Sequence, residues 1–517
     1  MLHSPPISGV ATNLTEAVSW KPLLLTIYGT MILGILYVFS AIYYPFASTA
    51  RSASWLSQKA LYFFLVYTRC GNSLNVDSHY VNHAVNTSQQ TAMTGTRSAP
   101  ASGYRLRPIW EVPPQNSKTP PLKSFRLTKE LVEQRVKDNV IIVTFGNFAF
   151  MDFILTWVKH STDLGISNLL VGAMDTKLVN ALYWKGIPVF DMDSHMSTAD
   201  VGWGSPMFFT MGREKAILID SLLQYGYEIL MCDTDMVWLK NPFPYLARYP
   251  DADVLTSSDQ VVATVTDDRL DIWQQVRAPY NIGIFHWRPT EPAKKLAKER
   301  KDMLLAHEKI WDQIAFNNLV LRQLGPSVNG DSGLACASDG NLKLGISPAS
   351  IFCNGHTFFV QAMPQQLRME PYAVHTTFRY AGTEGNRHRL RGGRFFFDPP
   401  EYYDAPGGFL SFKPSIPKSL LLDGVHNLES SFSLVNYQIK QIRSALAVAL
   451  LLNRTLLCLH RGADYMFEVN VMLKDLPAEE FGPAINIREY SFLDNPSLPK
   501  QVKDSWLDVH SYMDCLT

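Results

Sequence analysis

The sequence lacks the features that mark several large functional classes. Its six cysteines, Cys70, Cys232, Cys336, Cys353, Cys458 and Cys515, include no CxxC pair, which argues against a zinc ribbon or a redox dithiol. Cys336 and Cys353 are either partners in a disulfide, if the chain faces an oxidising lumen, or two buried thiols. An excess of either charge is missing too. With 47 basic and 47 acidic side chains the formal charge is zero, so the chain has no single-signed field of the kind a dedicated nucleic-acid binder uses. Charged residues make up only 18% against 46% hydrophobic, which excludes disorder throughout and supplies a large core. At 517 residues the chain implies two or more domains. The neutrality is uneven, because residues 1–137 carry 13 Lys and Arg against 5 Asp and Glu, leaving 34 against 42 in the remainder. The front is +8 and the back −8.

One long apolar run stands out. Leu23 to Tyr44, LLLTIYGTMILGILYVFSAIYY, is uncharged and bracketed by Pro22 and Pro45, and as a helix it would be about 33 Å long, enough to cross a bilayer. It exceeds a signal-peptide core and has no clear cleavage site, so a membrane anchor is expected at residues 23–44 after a short tail at 1–22. Lys21 precedes it, whereas Arg51, Lys59 and Arg69 follow. Taken alone that balance opposes a lumenal C-terminus, but long C-terminal domains translocate regardless, and charge leaves topology open. Residues 45–137, rich in Ser, Thr, Asn, Pro and Gln, read as a stem. Asn86-Thr87-Ser88 within it is a glycosylation sequon usable only in a lumen.

From Val140 an α/β pattern begins. VIIVTF is a continuous apolar run ended by Gly146 and Asn147, the signature of a strand buried on both faces. A helix about Phe150–Asp163, strand NLLVGA, a helix around Lys177–Trp184, strand PVFDMD, a helix over Met211–Tyr225 and strand YEILMC follow. This alternation predicts a mainly parallel sheet packed by helices, with ligands at the carboxyl ends of its strands.

Asp233-Thr234-Asp235 leaves YEILMC at such an end. Two carboxylates facing a crevice suit a hard divalent cation that bridges a diphosphate. The haloacid-dehalogenase phosphohydrolases also place DxDx[TV] after a strand, with the first Asp as nucleophile; here three strand–helix units precede it, and only Asp267 and Asp271 imitate that group's later acids. Tyr280–Phe285 reads as a strand in which Asn281 and Gly283 permit close approach of a sugar, or as an ordinary buried strand. Trp311-Asp312-Gln313 opens a helix, where the acid and amide either bind a sugar hydroxyl or cap the helix. His375 follows PYAV and precedes TTFRYAGTEGNRHRLRGG, read as a basic glycine-containing loop suited to phosphate oxygens, Arg387 among them. The tail at 409–517 forms a separate α/β unit, with FSLVNYQIKQIRSALAVALLL as a helix and TLLCL as a strand.

The strings LMCDTDMVWLKNPFPYL, LTSSDQVVATVTDDRLDIWQQV, YNIGIFHWRPTEPAKKLAKE, GNLKLGISPASIFCNGHTFFVQAM and HTTFRYAGTEGNRHRLR resemble the plant nucleotide-diphospho-sugar transferases of glycosyltransferase family 77, in the arabinosyltransferase branch that acts on extensins. The resemblance implies a GT-A fold at residues 138–408 with a C-terminal extension at 409–517, and a single-pass type II Golgi protein with its catalytic domain in the lumen. It implies retaining transfer from a UDP-β-L-arabinofuranose donor to arabinosides on hydroxyproline-rich glycoproteins, with other Golgi glycosyltransferases as candidate partners. On it, Asp233, Asp235 and His375 hold Mn²⁺ or another divalent cation, and Asp312 and Gln313 are the catalytic residues near the anomeric carbon, retention coming either from Asp312 as nucleophile or from same-face attack assisted by the departing phosphate. Asn281 contacts the sugar, and Thr144, Asn147, Arg213 and Lys215 are candidate donor contacts or ordinary structural residues. A phosphohydrolase using Asp233 and a non-catalytic Golgi partner remain as alternatives.

Overall fold

The strand–helix alternation that begins at Val140 builds one sheet. In the computed structural model the described residues are 111, 113–326, 333–379, 382–405, 407–412, 416–420, 428–458, 487–488, 491–496 and 498–504. The expected anchor at 23–44, most of the stem and the Asn86 sequon lie outside them. No helix among the described residues is long and apolar enough to cross a membrane.

The first strands are β1 (Val140–Gly146), β2 (Leu169–Ala173), β3 (Val189–Asp191) and β4 (Glu228–Cys232). They are joined by helices α1 (Met151–Asp163), α2 (Thr176–Trp184) and α3 (Pro206–Gln224). α3 starts earlier than its apolar spacing predicts because the Ser205 hydroxyl accepts from Phe208 N–H and Pro206 fills the first turn. Then come β5 (Met236–Trp238), β6 (Val254–Ser258), β7 (Tyr280–Trp287), α4 (Glu291–Ala306) and α5 (Asp312–Val320). β8 (Gly325–Pro326), β9 (Ala335–Ala337) and β10 (Leu342–Ile346) finish the main sheet.

Its order is β3-β2-β1-β4-β7-β6-β10-β9-β8. β3, β2, β1 and β4 are parallel neighbours. β7 runs antiparallel between β4 and β6, β10 parallels β6, and β9 is antiparallel to both β10 and β8. Only β7 and β9 are therefore reversed, and the sheet is mixed but mainly parallel. Both faces are covered: Ile141, Val143 and Phe145 enter one apolar cluster and Ile142 the other, the period-2 alternation of a strand.

A second sheet, β11-β12-β5, uses β11 (Phe352–Asn354) and β12 (Ala373–His375). The stretch read as a basic loop after His375 is largely helical, as α6 (Gly382–Gly392). Its arginines stabilise that helix by pairing: Arg387 with Asp152 and Glu384, and Arg391 with Asp398. In the tail, β13 (Phe409–Phe412), β14 (Thr455–Cys458) and β15 (Ile487–Arg488) form a third, parallel sheet beside the long helix α7 (Leu428–Leu451). Cys336 and Cys353 are free thiols.

Buried Asp253 ties three strands together. Its carboxylate accepts from Lys343 N–H at 2.7 Å and from the Thr290 hydroxyl at 2.6 Å, while its carbonyl accepts from Arg288 N–H at 2.9 Å. Asp253→Ala strands the first two donors and is expected to lower stability by about 2 kcal/mol, read as a reduced urea midpoint with an unchanged m-value.

Candidate active site

Asp233 and Asp235 occupy the turn where the chain leaves β4 in the main sheet and enters β5 in the small one. Two ladders fix that corner. Antiparallel pairing sets Cys232 opposite Ile284 of β7, so that Asp233 N–H donates to the Gly283 carbonyl at 2.9 Å. On the other side β12 pairs with β5 so that His375 lies opposite Met236. The histidine is thereby brought against the turn: its Nε2 is 3.2 Å from an Asp235 oxygen and 3.8 Å from Asp233. Gly283 makes room for it, since a β-carbon there would overlap the His375 ring.

One ligand atom from each of Asp233, Asp235 and His375 falls within 4.8 Å of the others. Two hard carboxylate oxygens and one imidazole nitrogen fit a divalent cation. Every member is held by further groups. Lys215 Nζ, buried, donates to Asp233 at 2.6 Å and to the Ile282 carbonyl at 2.9 Å. Asp235 accepts from Asn386 Nδ2 at 2.9 Å, and Thr376 Oγ1 donates to its backbone carbonyl at 2.8 Å. Asn281 Oδ1 accepts from Gly283 N–H at 2.8 Å and stands 3.2 Å from His375 Nδ1. Since that oxygen is an acceptor, His375 is protonated on Nδ1 and turns Nε2 toward the two acids.

Charge follows the geometry. Burial opposes a charged His375, but the adjacent Asp235 and Asp233 outweigh it and raise the pKa. Burial likewise pushes the Asp235 carboxyl up, and His375, with help from Arg379, brings it below the usual value. The two carboxylates thus favour a proton on His375, and a cation held by the same three groups would compete with that proton.

The corner opens into a cleft of about 490 Å³. Gln313, Asp312 and Asp259 line it beside Asn281. Asp259 accepts from Asn281 Nδ2 and Gln313 Nε2, both at 2.9 Å, and burial raises its pKa despite these two bonds. Asp312 is buried at the start of α5, its Oδ2 3.1 Å from buried Arg300 and its Oδ1 accepting from Gln313 N–H at 2.9 Å. A β-carbon on Gly212 would lie 2.9 Å from the Asp312 side chain, so this glycine lets α3 pack against it.

Other expected donor contacts lie elsewhere. Thr144 and Asn147 are fully buried, and the end of β1 presents Phe145 to the cleft instead. Asn147 holds the loop beyond β3, its Nδ2 donating to the carbonyls of Ser197 at 2.6 Å and Ala199 at 2.7 Å. Arg213 is spent on the Glu308 carbonyl and Thr210. Arg387 turns to Asp152 and Glu384, away from the cleft; helical rotation gives the site Asn386, its neighbour, instead. Arg379 is the arginine that reaches the cleft wall, its Nε donating to Asn386 Oδ1 at 2.7 Å. The sequence reading missed Asp259, Arg379 and Asn386. Asp259 does follow the carboxyl end of a buried strand, the same rule that picked out Asp233. Asp267 is half-buried and paired with Arg269, and Asp271 accepts from Thr264 and Ala349 outside the cleft, so the later acids of a phosphohydrolase are missing from this site.

A family model described as nucleotide-diphospho-sugar transferase matches residues 164–390. Arabinosyltransferase XEG113 of Arabidopsis thaliana is 64% identical across 97% of this chain and 82% of its own length. The chain belongs to the nucleotide-diphospho-sugar transferase family. This transferase is also 28% identical to arabinosyltransferase RRA2 of the same plant, over 40% of the chain and 50% of the relative. Among solved structures, the galactosyltransferase LgtC with donor and acceptor sugar analogues aligns with 50% of this chain and 98% of its own at 11% identity and a TM-score of 0.29. The chain is a glycosyltransferase, and Asp233, Asp235 and His375 are its candidate divalent-cation ligands.

Two outcomes follow for cation binding. Asn281→Ala frees the His375 ring and is expected to weaken Mn²⁺ binding about 10–100-fold in a titration followed by electron paramagnetic resonance. Because His375 binds its proton more tightly than an ordinary histidine and must lose it to ligate, affinity is fullest above its raised pKa and falls as pH drops through it. Calorimetry in two buffers of different ionisation enthalpy is expected to record proton release on cation uptake.

Proposed function

We propose that this transferase carries L-arabinofuranose from UDP-β-L-arabinofuranose to arabinosides on hydroxyproline of extensin-type cell-wall glycoproteins, with retention of configuration, on a GT-A scaffold. The observation that carries the reading is the meeting of Asp233, Asp235 and His375 at the carboxyl end of β4 in a chain 64% identical to a protein named arabinosyltransferase. The expected anchor at residues 23–44 supports a single-pass Golgi protein with a lumenal catalytic domain.

The chain's own residues then have defined tasks. Asp233, Asp235 and His375 would hold Mn²⁺ or a similar ion, which when bound would supply positive charge toward a departing diphosphate. Lys215 fixes the Asp233 carboxylate, and Arg379 brings a second cation to the same wall, in a site where preorganised charges act without reorganising. Asp259 accepts from the Gln313 amide nitrogen, which leaves the Gln313 carbonyl oxygen for other partners, among them Asn281 Nδ2 at 3.5 Å.

Asp312 and Gln313 flank the place where the sugar would lie. Both Asp312 oxygens are already engaged, one by Arg300 and one by Gln313 N–H. A carboxylate so committed is a poor nucleophile, which supports same-face attack by the acceptor hydroxyl over a glycosyl-enzyme intermediate.

The test is incubation of the full chain with a panel of UDP-sugars and short hydroxyproline arabinosides, products being read by mass. A pentose increment from UDP-arabinofuranose alone supports the assignment; transfer from a different donor, or none, refutes it. Asp235→Asn is expected to cut transfer by about 10²–10³-fold while the melting transition stays in place.

A further inference from the structure

Trp203 is the most exposed large apolar side chain among the described residues, at 67%. A lone exposed ring needs no explanation, but this one belongs to a cluster on the cleft wall. Its ring centroid is 6.0 Å from that of Trp311, edge to face at 82°, and 6.0 Å from that of Phe208, while Phe208 and Trp311 are 6.1 Å apart. All three line the cleft that holds the cation ligands.

The chain is built to hold Trp203 out. The Asn147 side chain, buried under the sheet end, fixes the loop through the carbonyls of Ser197 and Ala199. Asp200 accepts from Gly202 N–H at 3.2 Å, and Ser205 Oγ donates to the Val201 carbonyl. Gly202 and Gly204 flank the tryptophan at φ +62° and +75°, in the left-handed region that glycine enters freely. Between these two reversals the ring stands out from the core.

Its position points to one ligand. A hydrogen-bonded row runs along the cleft floor from His375 to Asn281, to Asp259 and to Gln313. The diphosphate belongs at the His375 end, with Arg379. Trp311 immediately precedes Asp312 and Gln313, so the aromatic wall adjoins the Gln313 end of the row, away from His375. Rings at that end are placed to meet an acceptor rather than the diphosphate. A sugar presents an apolar C–H face to a ring and hydroxyls to neighbouring carboxylates, and here Asp200 and Asp312 line the cleft beside the rings. A bare proline-rich peptide docks along an aromatic-lined groove, whereas here three rings, tilted or edge-on to one another, form one cluster from which Trp203 projects.

We infer that Trp203, backed by Trp311 and Phe208, is the acceptor subsite and stacks on a sugar ring of the arabinoside already carried by the glycoprotein. This rests on the proposed transferase reading and adds that the enzyme recognises the glycan of its acceptor rather than the peptide.

The test compares wild type, Trp203→Ala and Trp203→Phe as full chains. An arabinofuranose disaccharide and a sugar-free hydroxyproline peptide serve as probes. Trp203→Ala is expected to raise KM for the disaccharide about 30-fold, Trp203→Phe to recover most of that loss, and UDP affinity to stay within about twofold of wild type. The inference is overturned if Trp203→Ala leaves the disaccharide KM unchanged, if it weakens UDP binding equally, or if the sugar-free peptide proves the ligand that Trp203 holds. Should wild type fail to turn over UDP-arabinofuranose, the transferase assignment falls instead. The subsite is then read separately by disaccharide quenching of tryptophan fluorescence, which Trp203→Ala abolishes if the inference holds and leaves intact if it does not.

Discussion

Two carboxylates must share one corner against their mutual repulsion, and most of the catalytic unit is arranged around that demand. At the separation of the ligand atoms in this cluster two like charges repel by about 3–4 kcal/mol at an effective dielectric of 20. Lys215 offsets one acid and Asn386 bonds the other, while His375 sits between them. None of these partners is close in sequence to the acids. Lys215 comes from α3 and Asn386 from α6, while strand register sets the rest: β4 against β7 brings Gly283 alongside Asp233, and β5 against β12 brings His375 across from Met236. Slipping either ladder by one residue would reverse its side chains and empty the corner.

A second constraint sits behind the first. Asp259, one half-buried carboxylate, orients both Asn281 and Gln313, and through Asn281 it sets the face His375 presents. Arg300 does the corresponding job for Asp312 from inside the protein. Buried charges of this kind cost desolvation free energy and add little stability; their return here is a cleft whose acceptors and donors point one way before any ligand arrives. The same economy shows in the loop after β3, where Asn147 is used to hold a backbone turn and so to present an aromatic ring.

Much of the fold was legible in the chain. β1, β2, β3 and β4 are buried on both faces, which writes them as unbroken apolar runs, and the rule that ligands bind at strand carboxyl ends led to Asp233 and Asp235. The reversed β7 was not legible in direction, because a fully buried strand looks the same either way round. His375 carries no local signature, and its place depends on a β5–β12 pairing between segments far apart in sequence; only family resemblance pointed to it. Arg387 shows the opposite failure. Composition marked the segment as basic and phosphate-seeking, but it folds as α6, and a helix turns about 100° per residue. That rotation sends Arg387 to Asp152 and Asn386 to Asp235.

The central claim is that this corner binds a cation and a nucleoside diphosphate as one unit, each needing the other. Calorimetric titration of the full chain with UDP, with Mn²⁺ present and then with the ion chelated, addresses it directly. By linkage, cation and UDP must raise each other's affinity by the same factor. The structure predicts measurable UDP binding with Mn²⁺ and its loss on chelation. Equal UDP affinity in both conditions, or no binding in either, would contradict the account.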